Sequence, residues 1–97
     1  MKGNSMSELD LMSVAKRVVW FKPPKDTLQD QTFFLAHVMT FGTLRDITAV
    51  LECFRESDLE AVLDDPPPGV FDLRSWTFWN VRYRREPVPP LPTRRIP

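Results

Sequence analysis

Proline and glycine interrupt this chain at regular intervals, and the interruptions set what it can fold into. Pro23-Pro24, Gly42, the run Pro66-Pro67-Pro68-Gly69 and the prolines from Pro87 onward leave only short segments between them. A residue before proline is pushed toward extended geometry, and glycine readily ends a helix. Only short elements fit between such breaks. The length of 97 residues makes one small domain. A domain of this size buries about two thirds of its chain surface, so its stability is modest.

Within the segments the apolar spacing is helical. Residues 1–7 are expected to be disordered. Over residues 8–19, Leu9, Met12, Ala15, Lys16 and Val19 fall at helical spacing. Trp20 and Phe21 stand at the following break and are expected to pack inward. Asp26 or Thr27 can cap a second helix, on which Leu28, Leu35, Val38 and Met39 share a face flanked by Phe34. Gly42 suits a left-handed C-terminal cap. Thr43 with Asp46 has capping-box spacing and opens a third helix with the stripe Leu44, Ile47, Leu51 and Phe54. Ser57 with Glu60 has the same spacing and opens a fourth, carrying Leu59, Val62 and Leu63.

Residues 71–85, FDLRSWTFWNVRYRR, hold five of the chain's 11 aromatic residues and four arginines. As a helix capped by Asp72 or Ser75, the segment puts Leu73, Trp76, Trp79 and Tyr83 on one face. Phe78 and Val81 fall opposite, among Arg74, Arg82 and Arg85. As a strand, Trp79, Val81 and Tyr83 alternate with Asn80, Arg82 and Arg84. Both patterns fit; helix is preferred because a lone strand has nothing to pair with. The fold expected is all-α: a small bundle of four to five short helices over residues 8–86, with an extended Pro/Arg-rich tail over 87–97.

Charge is balanced overall, with 13 basic and 13 acidic residues, but it is segregated. Residues 46–65 hold seven acids against Arg55 alone, and residues 74–97 hold six arginines against Glu86 alone. The acids Glu52, Glu56, Asp58 and Glu60 are a candidate contact surface; their bland role is a solvated helix face. Arg74, Phe78, Val81, Arg82, Arg85, Arg94 and Arg95 are candidate partner-binding residues. Arginine and aromatic side chains dominate interface hot spots, and exposed apolar patches mark binding sites. Aromatics interleaved with arginine also suit stacking on unpaired bases, but a neutral chain is unlike a free nucleic-acid binder. Pro89-Pro90-Leu91-Pro92-Thr93-Arg94 matches the PxxPxR pattern of SH3 ligands, a short pattern that also describes a tail packed on its own domain.

Catalytic chemistry has little to build on. The single histidine, His37, falls on the polar side of helix two and reads as a surface residue. Cys53 is the single cysteine, off the main stripe of helix three, and reads as a half-buried thiol. One Cys and one His do not make a tetrahedral zinc site, and three glycines supply no phosphate loop. No cofactor, no metal and no enzymatic activity are expected. A lone cysteine, the lack of a long apolar run and an N-terminus broken by Glu8, Asp10, Lys16 and Arg17 suggest a cytoplasmic protein without a signal peptide.

Four segments in order carry a resemblance: Val19-Trp20-Phe21, HVMTFGTLRDITAVLECF (37–54), ESDLEAVLDD (56–65) and LRSWTFWNVRYRREPVPP (73–90). Together they resemble a family of short bacterial helical proteins that look like antitoxin-type neighbours of nucleotidyltransferase toxins. That family has an early aromatic pair, a helix ending in aromatic-Gly, a following helix that starts with acidic residues, a short helix, and a Trp-containing C-terminal segment. Phe41-Gly42 with Asp46, and Trp79, match best. The resemblance covers about residues 18–90; Pro66–Pro68 and the tail 87–97 have no counterpart. It implies a protein-binding, antitoxin-like partner of a nucleotidyltransferase-type toxin. A small nucleic-acid-binding regulator is the alternative, and self-association is open.

Overall fold

The computed structural model describes residues 8–91, with side chains from Leu11 onward. The described residues form six helices and no strand: α1 (Glu8–Val18), α2 (Pro24–Gln29), α3 (Gln31–Phe41), α4 (Leu44–Leu51), α5 (Glu56–Asp64) and α6 (Leu73–Arg82). The all-α expectation holds, and within residues 71–85 the helical alternative is the one formed, over Leu73–Arg82. The disordered stretch expected over 1–7, and the tail beyond Leu91 with Arg94 and Arg95, lie outside the described residues.

α3 is the central element, packed against each of the other helices. Phe34, Leu35, Ala36, His37, Val38 and Met39 are all buried, so this helix has no solvent face in its middle turns. Around it gather Val14, Ala15, Val18 and Val19, then Val50 from α4, Leu59, Val62 and Leu63 from α5, and Phe71, Trp76 and Trp79. Burying one such side chain contributes about 1.5–3 kcal/mol.

The second predicted helix is two. Pro23 and Pro24 start α2, where the missing proline N–H costs nothing because first-turn donors lack intrahelical partners. Asp30 then leaves helical geometry and caps α3, accepting from the Phe33 amide at 3.1 Å. Thr27, a predicted cap, is instead buried inside α2, its hydroxyl on the Pro23 carbonyl at 3.3 Å.

The Thr43–Asp46 capping box is present: Asp46 N donates to Thr43 Oγ1 at 3.2 Å and Thr43 N to Asp46 Oδ2 at 3.0 Å. The buried side of α4 is rotated from the expected stripe. Val50 reaches the core, Ile47 and Leu51 pack half-buried beside it, and Leu44 is exposed. α5 starts two residues before the expected Ser57 box, with Asp58 Oδ2 accepting from the Arg55 amide at 2.8 Å. Gly42 is not left-handed; its backbone is extended, at φ −74° and ψ 157°. Glycine is required there by contact, since a Cβ would lie 2.6 Å from the Val38 carbonyl oxygen and 3.3 Å from Asp46 Cβ.

α6 closes the bundle. Asp72 caps it by accepting from Ser75 N at 2.8 Å. The last carbonyls of a helix lack partners within it, and α6 supplies one to α3: Trp79 Nε1 donates to the Met39 carbonyl at 2.8 Å. Trp76 Nε1 donates to Pro89 O at 2.8 Å, and Val88 and Leu91 rest against the core, so the proline-rich segment starts out docked on its own domain.

Candidate functional site

α6 presents two unlike faces. Trp76 and Trp79 are sealed in the core, with Phe71 edge-on to Trp76 at 5.4 Å. On the outer side Phe78 is 56% exposed and Val81 46% exposed. Together with Thr77 and Arg82 they line an open hollow of about 500 Å³. The periodicity of the segment produces this split: Trp76 and Trp79 are three positions apart, and Phe78 and Val81 fall on the far side of the helix.

The charged residues singled out in the sequence meet one another. Arg85 donates to Asp64 at 2.6 Å and reaches Glu60 Oε1 and the Glu60 carbonyl, each at 3.4 Å. Arg82 lies 3.6 Å from Glu56, which also accepts from the Tyr83 hydroxyl at 3.1 Å. Asp58 is occupied in capping α5. Glu56, Glu60 and Asp64 on α5 and Arg82 and Arg85 at the end of α6 and just beyond it therefore form one cross-linked seam. Of the sequence candidates, Arg74 and Glu52 remain exposed without an ion pair among the described residues.

A chain reversal puts Arg85 on this seam. α6 ends with Arg85 N donating to Asn80 O at 2.8 Å and Arg84 N to Val81 O at 3.0 Å. This is a Schellman ending, which needs a left-handed residue after the cap. Arg84 takes that conformation, at φ 60°, where glycine would be usual.

A second apolar surface escaped the sequence reading. Trp20 and Phe21 do not pack inward. They stand in the turn after α1, Trp20 81% exposed and Phe21 more than half exposed. Val18 and Val19 take the core positions at the end of α1, which leaves the next two residues facing out. With Phe33, His37 and Phe41 they wall a cleft of about 640 Å³, lined also by Pro67–Val70, Val18 and Arg17. One sequence signal marks this region: residues 16–25, KRVVWFKPPK, carry four cations and no acid.

His37 is a buried residue and not the surface residue expected. Its Nδ1 lies 2.8 Å from the Phe33 carbonyl, so Nδ1 carries the proton and donates. The other ring nitrogen is then the acceptor. Phe33, Phe41 and Phe21 surround the ring at 4.3, 5.8 and 6.2 Å. Burial lowers its pKa; the Phe33 hydrogen bond raises it, and the nearby Lys22 charge lowers it further. The imidazole is thus neutral near pH 7. Lys22 stands 4.5 Å over the Phe33 ring, a cation–π contact.

Cys53 lies at the surface and does not line the cleft that holds His37. Among the described residues no group of three His, Cys, Asp or Glu side chains could hold a metal ion. None of their helices is long and apolar enough to cross a membrane. Comparison with protein-family models, curated proteins and solved structures finds no match.

Proposed function

We propose that this chain is a non-catalytic protein-binding module whose outer α6 face docks on another protein. The observation that carries the reading is the division of α6. One side completes the core, and the other leaves Phe78 and Val81 exposed beside Arg82, which reaches Glu56 at 3.6 Å. Neighbouring apolar side chains left in solvent on one helix face mark an interaction surface. Arg82 and Arg85 are engaged by Glu56, Glu60 and Asp64, so they are poorly placed to grip a phosphate backbone. That favours a protein partner over a nucleic acid.

The resemblance carried by Phe41-Gly42, Asp46 and Trp79 supplies the partner class: a nucleotidyltransferase-type toxin, with this chain as its antitoxin-like inhibitor in a bacterial cytoplasm. Co-expression tests it. The chain should co-purify with such a toxin and relieve its growth arrest, and Phe78→Asp with Val81→Asp should abolish both effects while leaving the helical fold intact. Normal inhibition by the doubly substituted chain would refute docking through α6. Absence of any complex with the unsubstituted chain would refute the partner class.

A further inference from the structure

We infer that the cleft beside Trp20 and Phe21 is a second docking site, which receives an acidic segment of a protein partner carrying one aromatic side chain. The inference rests on the protein-binding reading and adds to it a separate surface and the chemistry of what that surface takes.

Size and walls define the anchor. About 640 Å³ lies within the ~300–1,000 Å³ span of small-ligand clefts. That admits one large side chain with its flanking backbone. The walls are rings and prolines, which favour a flat aromatic group held edge-to-face or stacked. His37 contributes a neutral ring with an acceptor nitrogen, so an anchor bearing its own donor, such as tyrosine, suits the site better than phenylalanine.

Charge defines the flanks. No aspartate or glutamate lines the cleft. Arg17 borders it, and the carboxylate that pairs with Arg17 belongs to buried Asp46, on the protein side of the guanidinium. Lys22 has no carboxylate within ion-pair distance among the described residues, and Lys16 and Lys25 lie on the same acid-free run. A partner segment with carboxylates beside its aromatic anchor would complement Arg17 on the cleft and the cations of the adjoining run, whereas a basic segment would be repelled. A nucleic acid fits less well. Its affinity grows with the number of phosphates neutralised, and the run over residues 16–25 offers only four cations.

The test uses the full chain and acetylated pentapeptides, followed by NMR shifts of the Trp20 indole, the His37 and Phe78 rings and the Val81 methyl groups. A peptide with tyrosine between pairs of glutamates should bind there. Replacing tyrosine by alanine, or the glutamates by lysines, should weaken binding about tenfold. Trp20→Ala should weaken it similarly, and Lys22→Glu should invert the charge preference. The inference is overturned if the lysine-flanked or alanine-centred peptide binds equally well, if the shifts map to Phe78 and Val81, or if oligo(dT) binds more tightly than the acidic peptide. Failure of every peptide, with the toxin still co-purifying, overturns the cleft alone and leaves the protein-binding reading standing.

Discussion

Arg17 grips Asp46 with both terminal nitrogens, Nη2 to Oδ1 at 2.7 Å and Nη1 to Oδ2 at 2.9 Å. The same carboxylate closes the capping box of α4 through the Thr43 amide. One buried side chain thus ends one helix against the start of another. The contact fixes the direction in which the chain leaves α1, and so where Trp20 and Phe21 emerge beside the cleft.

The Arg17 hydrogen bonds hold the Asp46 carboxyl below its ordinary pKa; burial acts against them, and Thr43 adds to the lowering. A carboxyl with a depressed folded pKa contributes stability above its unfolded pKa, near 3.9, and loses it as pH falls through the folded value. Below about pH 4 the melting temperature should therefore fall more steeply in the native chain than in Asp46→Asn. At pH 7, Arg17→Ala should cost about 2 kcal/mol, since it leaves a buried carboxylate with only its capping bonds. Thermal melts of Asp46→Asn across pH and chemical denaturation of Arg17→Ala at pH 7 check the two expectations. A cost within the error of a surface substitution would mean the pair is merely geometric.

Gly42 separates two reasons for a glycine. A left-handed site would tolerate asparagine well, whereas a crowded extended site would reject any side chain. Because a Cβ would meet the Val38 carbonyl at 2.6 Å, Gly42→Ala and Gly42→Asn should both destabilise by about 1–3 kcal/mol. Asparagine markedly better than alanine in thermal melts would contradict the extended geometry.

Arg84 offers the opposite case. A non-glycine residue at φ 60° costs about 1–2 kcal/mol relative to ordinary backbone. Arg84→Gly should raise stability by up to about 1 kcal/mol, while Arg84→Ala should change it little. Equal effects from glycine and alanine would show that the arginine side chain, not its backbone, sets the energetics at this turn.

The period of the segments made most helices legible. Leu59, Val62 and Leu63 recur at helical spacing and are buried, and Thr43 with Asp46 marked the start of α4. Faces were harder than elements. His37 fell opposite Leu35 on a helical wheel, yet α3 is covered on all sides, so its polar side is also interior. Trp20 and Phe21 are apolar, but Val18 and Val19 hold the adjacent core positions, and only tertiary packing decides which pair goes in. The divided face of α6 was readable at Trp76, Trp79, Phe78 and Val81 because 10 helical residues sample the period nearly three times, but Leu73, expected on the core face, is exposed in the first turn. The seam of Arg82 and Arg85 with Glu56, Glu60 and Asp64 was not, because it joins residues more than 20 positions apart.

The two faces of α6 predict opposite responses to substitution. Trp79→Phe removes the donor to the Met39 carbonyl and leaves it buried without that partner, which should cost about 1–3 kcal/mol. Phe78→Ser, on the exposed side, should cost no more than about 1 kcal/mol, the loss of its edge-to-face contact with Trp79 at 5.2 Å. Urea titrations of both report the difference directly. A large loss for Phe78→Ser would place that ring in the monomer's own packing and remove the reason for a partner at this face.

His37 predicts a second pH response, distinct in its window from that of Asp46. Burial among Phe21, Phe33 and Phe41 lowers its pKa in the fold, opposed by the Phe33 carbonyl and assisted by Lys22. The unfolded chain, with an ordinary histidine pKa near 6.5, therefore takes up a proton before the folded chain does. The contribution of neutral His37 to stability is complete above about pH 6.5 and declines as pH falls through the folded value. His37→Gln keeps a polar group but cannot titrate, so its stability should be flat between about pH 7 and pH 5 while that of the native chain declines. The imidazole signals should titrate over the same range, below the ordinary histidine midpoint. A midpoint at or above it would show that the ring is solvated in the fold, and the cleft it helps to wall would be wetter than its aromatic lining implies.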